Sequence, residues 1–167
     1  INQKFDLVIM NPPYTRFSNL NVNYRESILS KIKIKSMPQM GLHGYFILHS
    51  NNFLNQNGLL VAVLPASILF SKYAQELRSF LLNNFSLKYI ISYSNDDSFS
   101  DDSKFKEIIL IAKKNSSDFT CNVISIPIKI NQTTKEIIGF GEVCDDSFNP
   151  ESANLQEGDE LWVYPID

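Results

Sequence analysis

A chain of 167 residues with 44% hydrophobic and 20% charged side chains is long enough for one domain with a real core. Its net charge of −3 and pI near 5.4 exclude the footprint of a stand-alone nucleic-acid binder, so any such contact must be local or supplied by another domain. Cys121 and Cys144 lie far apart without metal-ligand spacing, which argues against a disulfide framework or zinc site, and the lack of a membrane-length run or signal-peptide pattern points to a cytoplasmic protein.

The first element is Phe5-Asp6-Leu7-Val8-Ile9-Met10. A continuous apolar run of this length suits a parallel strand covered on both faces, as in α/β proteins. It ends at Asn11-Pro12-Pro13-Tyr14. With Pro usage near 5%, adjacent prolines are expected at about one position in 400 by chance, and here an amide and an aromatic ring bracket them. Each proline holds φ near about −65° and lacks an N–H, and each pushes its predecessor toward extended geometry. The strand therefore cannot run on into a helix. What remains is a stiff loop of acceptors at the carboxyl end of a strand, where such sheets bind ligands. The Asn11 side-chain oxygen and the Pro12 carbonyl can accept from one planar amino group, while Tyr14 offers a face to a flat heterocycle. That suits an exocyclic amino group on a base. The plain alternative is that two prolines merely end a strand and Tyr14 packs in the core.

Residues 22 to 35 read as a polar, basic helix whose Tyr24, Ile28 and Ile32 share a face. Arg16, Arg25, Lys31, Lys33 and Lys35 make the segment 15 to 40 basic, either a contact for phosphates flanking a base or simply a solvated face. After Pro38 and Gly41, a helix from about 42 to 55 places Leu42, Tyr45, Phe46, His49 and Phe53 on its buried face and stops at Asn57-Gly58. His43 and His49 are six apart and do not share a face for a metal; His49 reads as a satisfied core histidine. A strand at 59 to 64, a helix at 71 to 83 burying Tyr73, Ala74, Leu77 and Leu81, and a strand at 87 to 93 follow. An acidic, serine-rich loop from 95 to 104 contains Phe99 and leads into a strand at 105 to 113. This alternation argues an α/β fold with a mainly parallel sheet, and the short last link argues a final antiparallel pair. Residues 119 to 130 and 135 to 140 read as a β-hairpin, 145 to 158 as polar loop, and Leu161 to Ile166 as a short apolar stretch. The expected division is a catalytic half over 1–114 and a hairpin extension and linker over 115–167.

The stretch from Phe5 to Tyr14 resembles the catalytic motif of S-adenosylmethionine-dependent amino-methyltransferases, in which Asn or Asp, two prolines and an aromatic residue follow an apolar strand. It is most similar to that of the N6-adenine DNA methyltransferases of restriction-modification systems. Thr15-Arg16 is similar to the fused restriction-methylase group, which often carries Arg shortly after the aromatic residue. Gly41-Leu42-His43-Gly44-Tyr45-Phe46 and the stretch from Asn57 to Pro65 resemble the helix, glycine turn and next strand of that family. The similarity spans residues 5 to 114. Phe99, ahead of Ile109-Leu110 and Lys113-Lys114, matches a loop Phe of the family. The resemblance implies that it is a second wall for the target base; on spacing alone, a Phe folded onto its own domain is an equal reading.

From the resemblance follow several expectations. The fold is the C-terminal half of a Rossmann-like methyltransferase with an antiparallel last strand pair. Asn11, Pro12, Pro13 and Tyr14 are catalytic, Tyr14 and Phe99 stack on the base, and Asn11 is a partial cofactor contact. Asp6 is structural or part of the cofactor rim. The cofactor is S-adenosylmethionine, no metal is used, and the partner is double-stranded DNA with a flipped adenine. The family's glycine-rich turn after its first strand and the acidic residue ending its second have no counterpart here. Gly139-Phe140-Gly141-Glu142 lacks the flanking strand and helix and suits a hairpin. The expectation is a fragment, or one piece of a split gene, that is inactive alone. It would lack an N-terminal cofactor half and a target-recognition domain, and would self-associate through the exposed edge of strand 5 to 10. The alternatives are a protein-glutamine or ribosomal-RNA amino-methyltransferase, a non-catalytic DNA- or subunit-binding module, and a plain structural fragment. The basic segment and Phe99 favour DNA.

Overall fold

The computed structural model describes residues 3–32, 40–93, 99, 106–115, 120–126 and 151–154. Six strands, β1 (Phe5–Met10), β2 (Leu54–Pro65), β3 (Phe85–Tyr93), β4 (Glu107–Lys114), β5 (Thr120–Ile126) and β6 (Glu151–Asn154), form one sheet in the order β1-β2-β4-β3-β5-β6. β1 pairs parallel with β2 and β3 with β5, while β4 runs antiparallel between β2 and β3 and β6 runs antiparallel to β5. The antiparallel pair expected from the short last link is present, with Ile91 opposite Ile109. Its second strand enters the middle of the sheet instead of extending the edge.

Alternation sets the core. Leu60, Ala62 and Leu64 of β2 and Ile108, Leu110 and Ala112 of β4 are fully buried, as one face of a strand requires. They share one core with Tyr45, Ile47 and Leu48 of α2 (Leu42–Ser50) and with Leu77 and Leu81 of α3 (Gln75–Asn84). Each fully buried Leu or Ile contributes roughly 1.5–3 kcal/mol of transfer free energy.

Several expected elements change in extent or orientation. α2 stops at Ser50, not near 55, and β2 starts at Leu54. Asn57-Gly58 therefore lies inside a strand, where Asn57 takes the left-handed region at φ 63. Phe5 pairs with Leu54 and Leu7 with Leu59, so residues 55–58 face Asp6 alone in a bulge. A left-handed Asn before Gly serves a bulge as readily as a helix end. Asn55 Nδ2 donates to Asp6 Oδ1 at 2.8 Å, which gives Asp6 a structural task at the bulge. On α2 the buried side includes His43 and Tyr45, while Phe46 is 46% exposed, so the helix is rotated from the expected face. In α1 (Val22–Ile32), Ile28 and Leu29 lean on the core but Tyr24 points out at 70% exposure. The expected helix from 71 begins only at Gln75, after 3-10 turns at Ala66–Leu69 and Lys72–Ala74. Ala74, Leu77 and Leu81 are buried as expected, whereas Tyr73 lies at the surface with its hydroxyl 2.7 Å from that of Ser67. Buried Arg78 holds both turns to α3, donating from Nη1 to the Ile68 and Ser71 carbonyls at 2.8 Å each.

The second arm expected for a hairpin with 119 to 130, residues 135 to 140, lies outside the described residues. One edge of β5 is taken by β3 and the other by β6, with Cys121 opposite Ala153. The second of these partners comes from within 145 to 158, expected to be polar loop. A turn cue at 131 to 134 is local, and the open edge of β3 lies far away in sequence. Residues 135 to 140, Cys144, the Gly139 to Glu142 stretch and Leu161 to Ile166 lie outside the described residues.

β1 is an edge strand. Val8 and Met10 lean on the core, but Phe5, Leu7 and Ile9 are 43%, 48% and 70% exposed. The expectation of a strand covered on both faces is thus met on one face only. Among the described residues no helix is long and apolar enough to cross a membrane.

Candidate active site

β1, β2 and β3 all end at one edge of the sheet and β4 begins there, since Met10 pairs with Ala62 and Pro65 with Glu107. That edge gathers the Asn11–Tyr14 loop, the turn after Pro65, Phe99 and Glu107. Asn11 and Pro13 are exposed and Pro12 is buried. Tyr14 is half-buried, with its hydroxyl oxygen fully enclosed. The chain beyond it is fastened to the start of α2: Leu42 N–H donates to the Thr15 carbonyl at 2.7 Å, and Arg16 and Gly41 form an antiparallel bridge. A side chain at Gly41 would run into the His43 ring.

His43 is packed edge-on against Tyr14, with ring centroids 5.8 Å apart at 90°. It is 3% exposed, and neither ring nitrogen has a hydrogen-bond partner among the described residues. Burial pushes its pKa down to about 4, so the ring is neutral at pH 7. The Tyr14 hydroxyl is pushed strongly upward, first by burial and then by the neighbouring Glu107 carboxylate. The phenol is therefore neutral and available as a donor. Its oxygen has no hydrogen-bond partner among the described residues. Glu107 is 1% exposed at the first position of β4.

The other expected site residues fall in different places. Phe99 shares the sheet edge with Tyr14, but its ring lies on Tyr93, with centroids 4.6 Å apart at 31°. β3 is three strand spacings from β1, about 14 Å, so Phe99 and Tyr14 rise from separated points of the edge. Arg16 and Lys31 are exposed. Arg25 is half-buried and its Nε is enclosed without a partner. Lys33 and Lys35 lie outside the described residues. Lys114 stands at the opposite sheet edge, where its Nζ donates to the Asn51 and Leu54 carbonyls at 2.6 and 3.1 Å. It holds the end of α2, and desolvation followed by Lys4 lowers its pKa. Among the described residues no group of three or more His, Cys, Asp or Glu could hold a metal.

The two neighbours of Tyr14, Glu107 and His43, were not singled out in the sequence for this place. Glu107 left one trace: an acid opening an otherwise apolar strand. His43 left none, because its role depends on the loop that packs on it. Together the loop offers an amide oxygen, a carbonyl and an aromatic face, with no strongly basic side chain in Asn11–Tyr14. Such a set can orient an amino group but not strip a proton from it unaided.

The sheet, with its antiparallel strand set between parallel-running ones, is that of the Rossmann-like methyltransferases. A methyltransferase subunit of a type I restriction-modification system from Streptococcus thermophilus matches it with a TM-score of 0.55 at 25% identity, over 74% of this chain and 26% of that one. The model of the Eco57I restriction-modification methylase family matches residues 1–99, and the chain belongs to that family. The type II methyltransferase M.AccI of Acinetobacter calcoaceticus is 32% identical over 117 residues, covering 69% of this chain and 22% of the relative. M.HincII of Haemophilus influenzae is 31% identical over 142 residues, covering 83% of this chain and 28% of the relative. The chain thus spans about a quarter of the length of these curated relatives.

Proposed function

We propose that this chain carries the target-base half of a DNA adenine-N6 methyltransferase of a restriction-modification system. The observation that carries the reading is the Asn11–Tyr14 loop: an exposed amide and a half-buried aromatic ring at the carboxyl end of β1, stapled to α2. S-adenosylmethionine, when bound, supplies an electrophilic methyl group. Asn11, exposed at the strand end, is a described residue fitted to line it.

Adenine N6 is a poor nucleophile because its lone pair is conjugated with the ring. A useful site binds the amino group as it pyramidalises, more tightly than in its planar ground state. Asn11 Oδ1 and the Pro12 carbonyl accept the two N6 hydrogens and favour that geometry. The base must first leave the duplex, after which Tyr14 stacks on one face and Phe99 closes the other side. For Phe99 this requires its ring to leave Tyr93 and turn toward Tyr14. Arg16 and Lys31, with Lys33 and Lys35, are offered to the flanking phosphates; Arg25 contributes less because it is half-buried.

The test is transfer of tritiated methyl groups to DNA, RNA and protein by the full-length protein. Methylation of DNA adenine is expected, and Asn11→Ala should abolish it while leaving DNA binding largely intact. Retained turnover, or transfer to RNA or protein instead, overturns the assignment.

A further inference from the structure

We propose that the turn over residues 66 to 74, between β2 and α3, is a contact surface for the DNA flanking the extruded adenine: Phe70 meets an unstacked base there and Lys72 a phosphate. The inference rests on the reading above that the Asn11–Tyr14 loop takes an adenine, and it adds where the neighbouring nucleotides lie. The turn and the loop leave neighbouring strands at the same end of the sheet, since Met10 pairs with Ala62 and β2 ends shortly after at Pro65. Neighbouring strands lie about 4.8 Å apart. The turn therefore rises one strand spacing from the loop, against three for the end of β3.

Single apolar side chains at a surface are ordinary, so exposure alone carries nothing. What sets this turn apart is how firmly its backbone is held under exposed rings. Phe70 is 56% and Tyr73 36% exposed, and Lys72 is exposed between them. Beneath them, buried Arg78 donates from Nη1 to the carbonyls of Ile68 and Ser71, one on either side of Phe70, at 2.8 Å each. The Ser67 carbonyl accepts from the Phe70 and Ser71 N–H groups at 3.3 and 2.9 Å and from the Ser71 hydroxyl. The Tyr73 hydroxyl is 2.7 Å from Ser67 Oγ, and Ala66 N–H ties the start of the turn to the Lys106 carbonyl at 2.8 Å. Burial accounts for Ile68, Leu69 and Ala74, which face the core. It does not account for Phe70.

Aromatic rings beside a cation suit nucleic acid, because bases stack on the rings while the charge meets the backbone. Turning one base out of a duplex unstacks its neighbours, and an apolar side chain set against the opened step offsets part of that cost. A surface fixed beforehand gives up little conformational freedom on binding. Lys72 is the one charged residue from 66 to 75. A protein seated on the same rings would have to desolvate it and supply a carboxylate, whereas a phosphate answers it directly.

The experiment uses the full-length protein with Asn11→Ala, so that binding is read without turnover, and a labelled duplex carrying the adenine identified by tritium transfer. In fluorescence anisotropy Phe70→Ala should weaken binding about tenfold. Phe70→Trp should restore it and add tryptophan emission that is quenched as the duplex is titrated in. Lys72→Ala should reduce the slope of log affinity against log salt by about one. Urea midpoints should hold in all three variants, because the side chains are exposed. Tritium transfer decides the functional reading first: without a DNA target that reading fails, and this inference with it. With a DNA target in hand, unchanged affinity in Phe70→Ala overturns this inference alone. If the urea midpoint also falls, the turn is a seat for another part of the protein and not for DNA.

Discussion

β1 and β4 are both apolar strands, yet they live in different surroundings. Ile108 and Leu110 of β4 are fully buried, whereas Leu7 and Ile9 of β1 are 48% and 70% exposed. Hydrophobicity does not separate them; neighbours do. Among the described residues β4 has a strand on each side and shares the core with α2 and α3, while β1 pairs with β2 alone. An apolar run announces a strand but does not say how many partners will cover it. β1 nonetheless leads into the Asn11–Tyr14 loop, so the loop proposed to hold the base hangs from the less covered of the two strands.

The largest test of this contrast is Leu110→Ala. Deleting a fully buried side chain between two strands should cost about 2–5 kcal/mol, read as a lower urea midpoint, and a loss under about 1 kcal/mol would erase the distinction. Next comes acid. His43 has a folded pKa of about 4 against 6.5 unfolded. The unfolded chain therefore binds the extra proton between these values, and stability present above pH 6.5 declines as pH falls toward 4, by up to about 3 kcal/mol. His43→Phe should flatten that slope in unfolding measured across the window. Gly44→Ala would press a methyl group into buried Met40 and should cost about 1–3 kcal/mol by thermal melting, a check on how tightly α2 covers the core. Smallest in stability is Ile9→Ser on the exposed side of β1, within about 0.5 kcal/mol. Its effect should appear instead in light scattering, as less self-association at high concentration; unchanged association would mean the β1 surface is not the sticky one.

Much of this is legible in the sequence, and most of what is not has one cause. β1, β2, β3 and β4 are visible as apolar runs bounded by turn residues, and the Asn11–Tyr14 loop falls where two prolines must end a strand. Partners far apart in sequence were not visible. The insertion of β4 beside β2, the pairing of β5 with β3 and 151–154, and the approach of Glu107 to Tyr14 all arise from closure of the whole sheet. The rotation of α2 has the same origin, since Phe46 is as apolar as Tyr45 and only the packed neighbours decide which turns inward. Asn57-Gly58 was misjudged for a different reason: its left-handed geometry serves two kinds of chain reversal equally.

That bulge also acts as slack. Four residues stand opposite one between the end of α2 and the first regular pair, Leu7 with Leu59, so a change of chain length there can be taken up before it reaches the register that carries Asn11. The connection can grow or shrink, and the covering helix can shift along the sheet, while the Asn11–Tyr14 loop keeps its address.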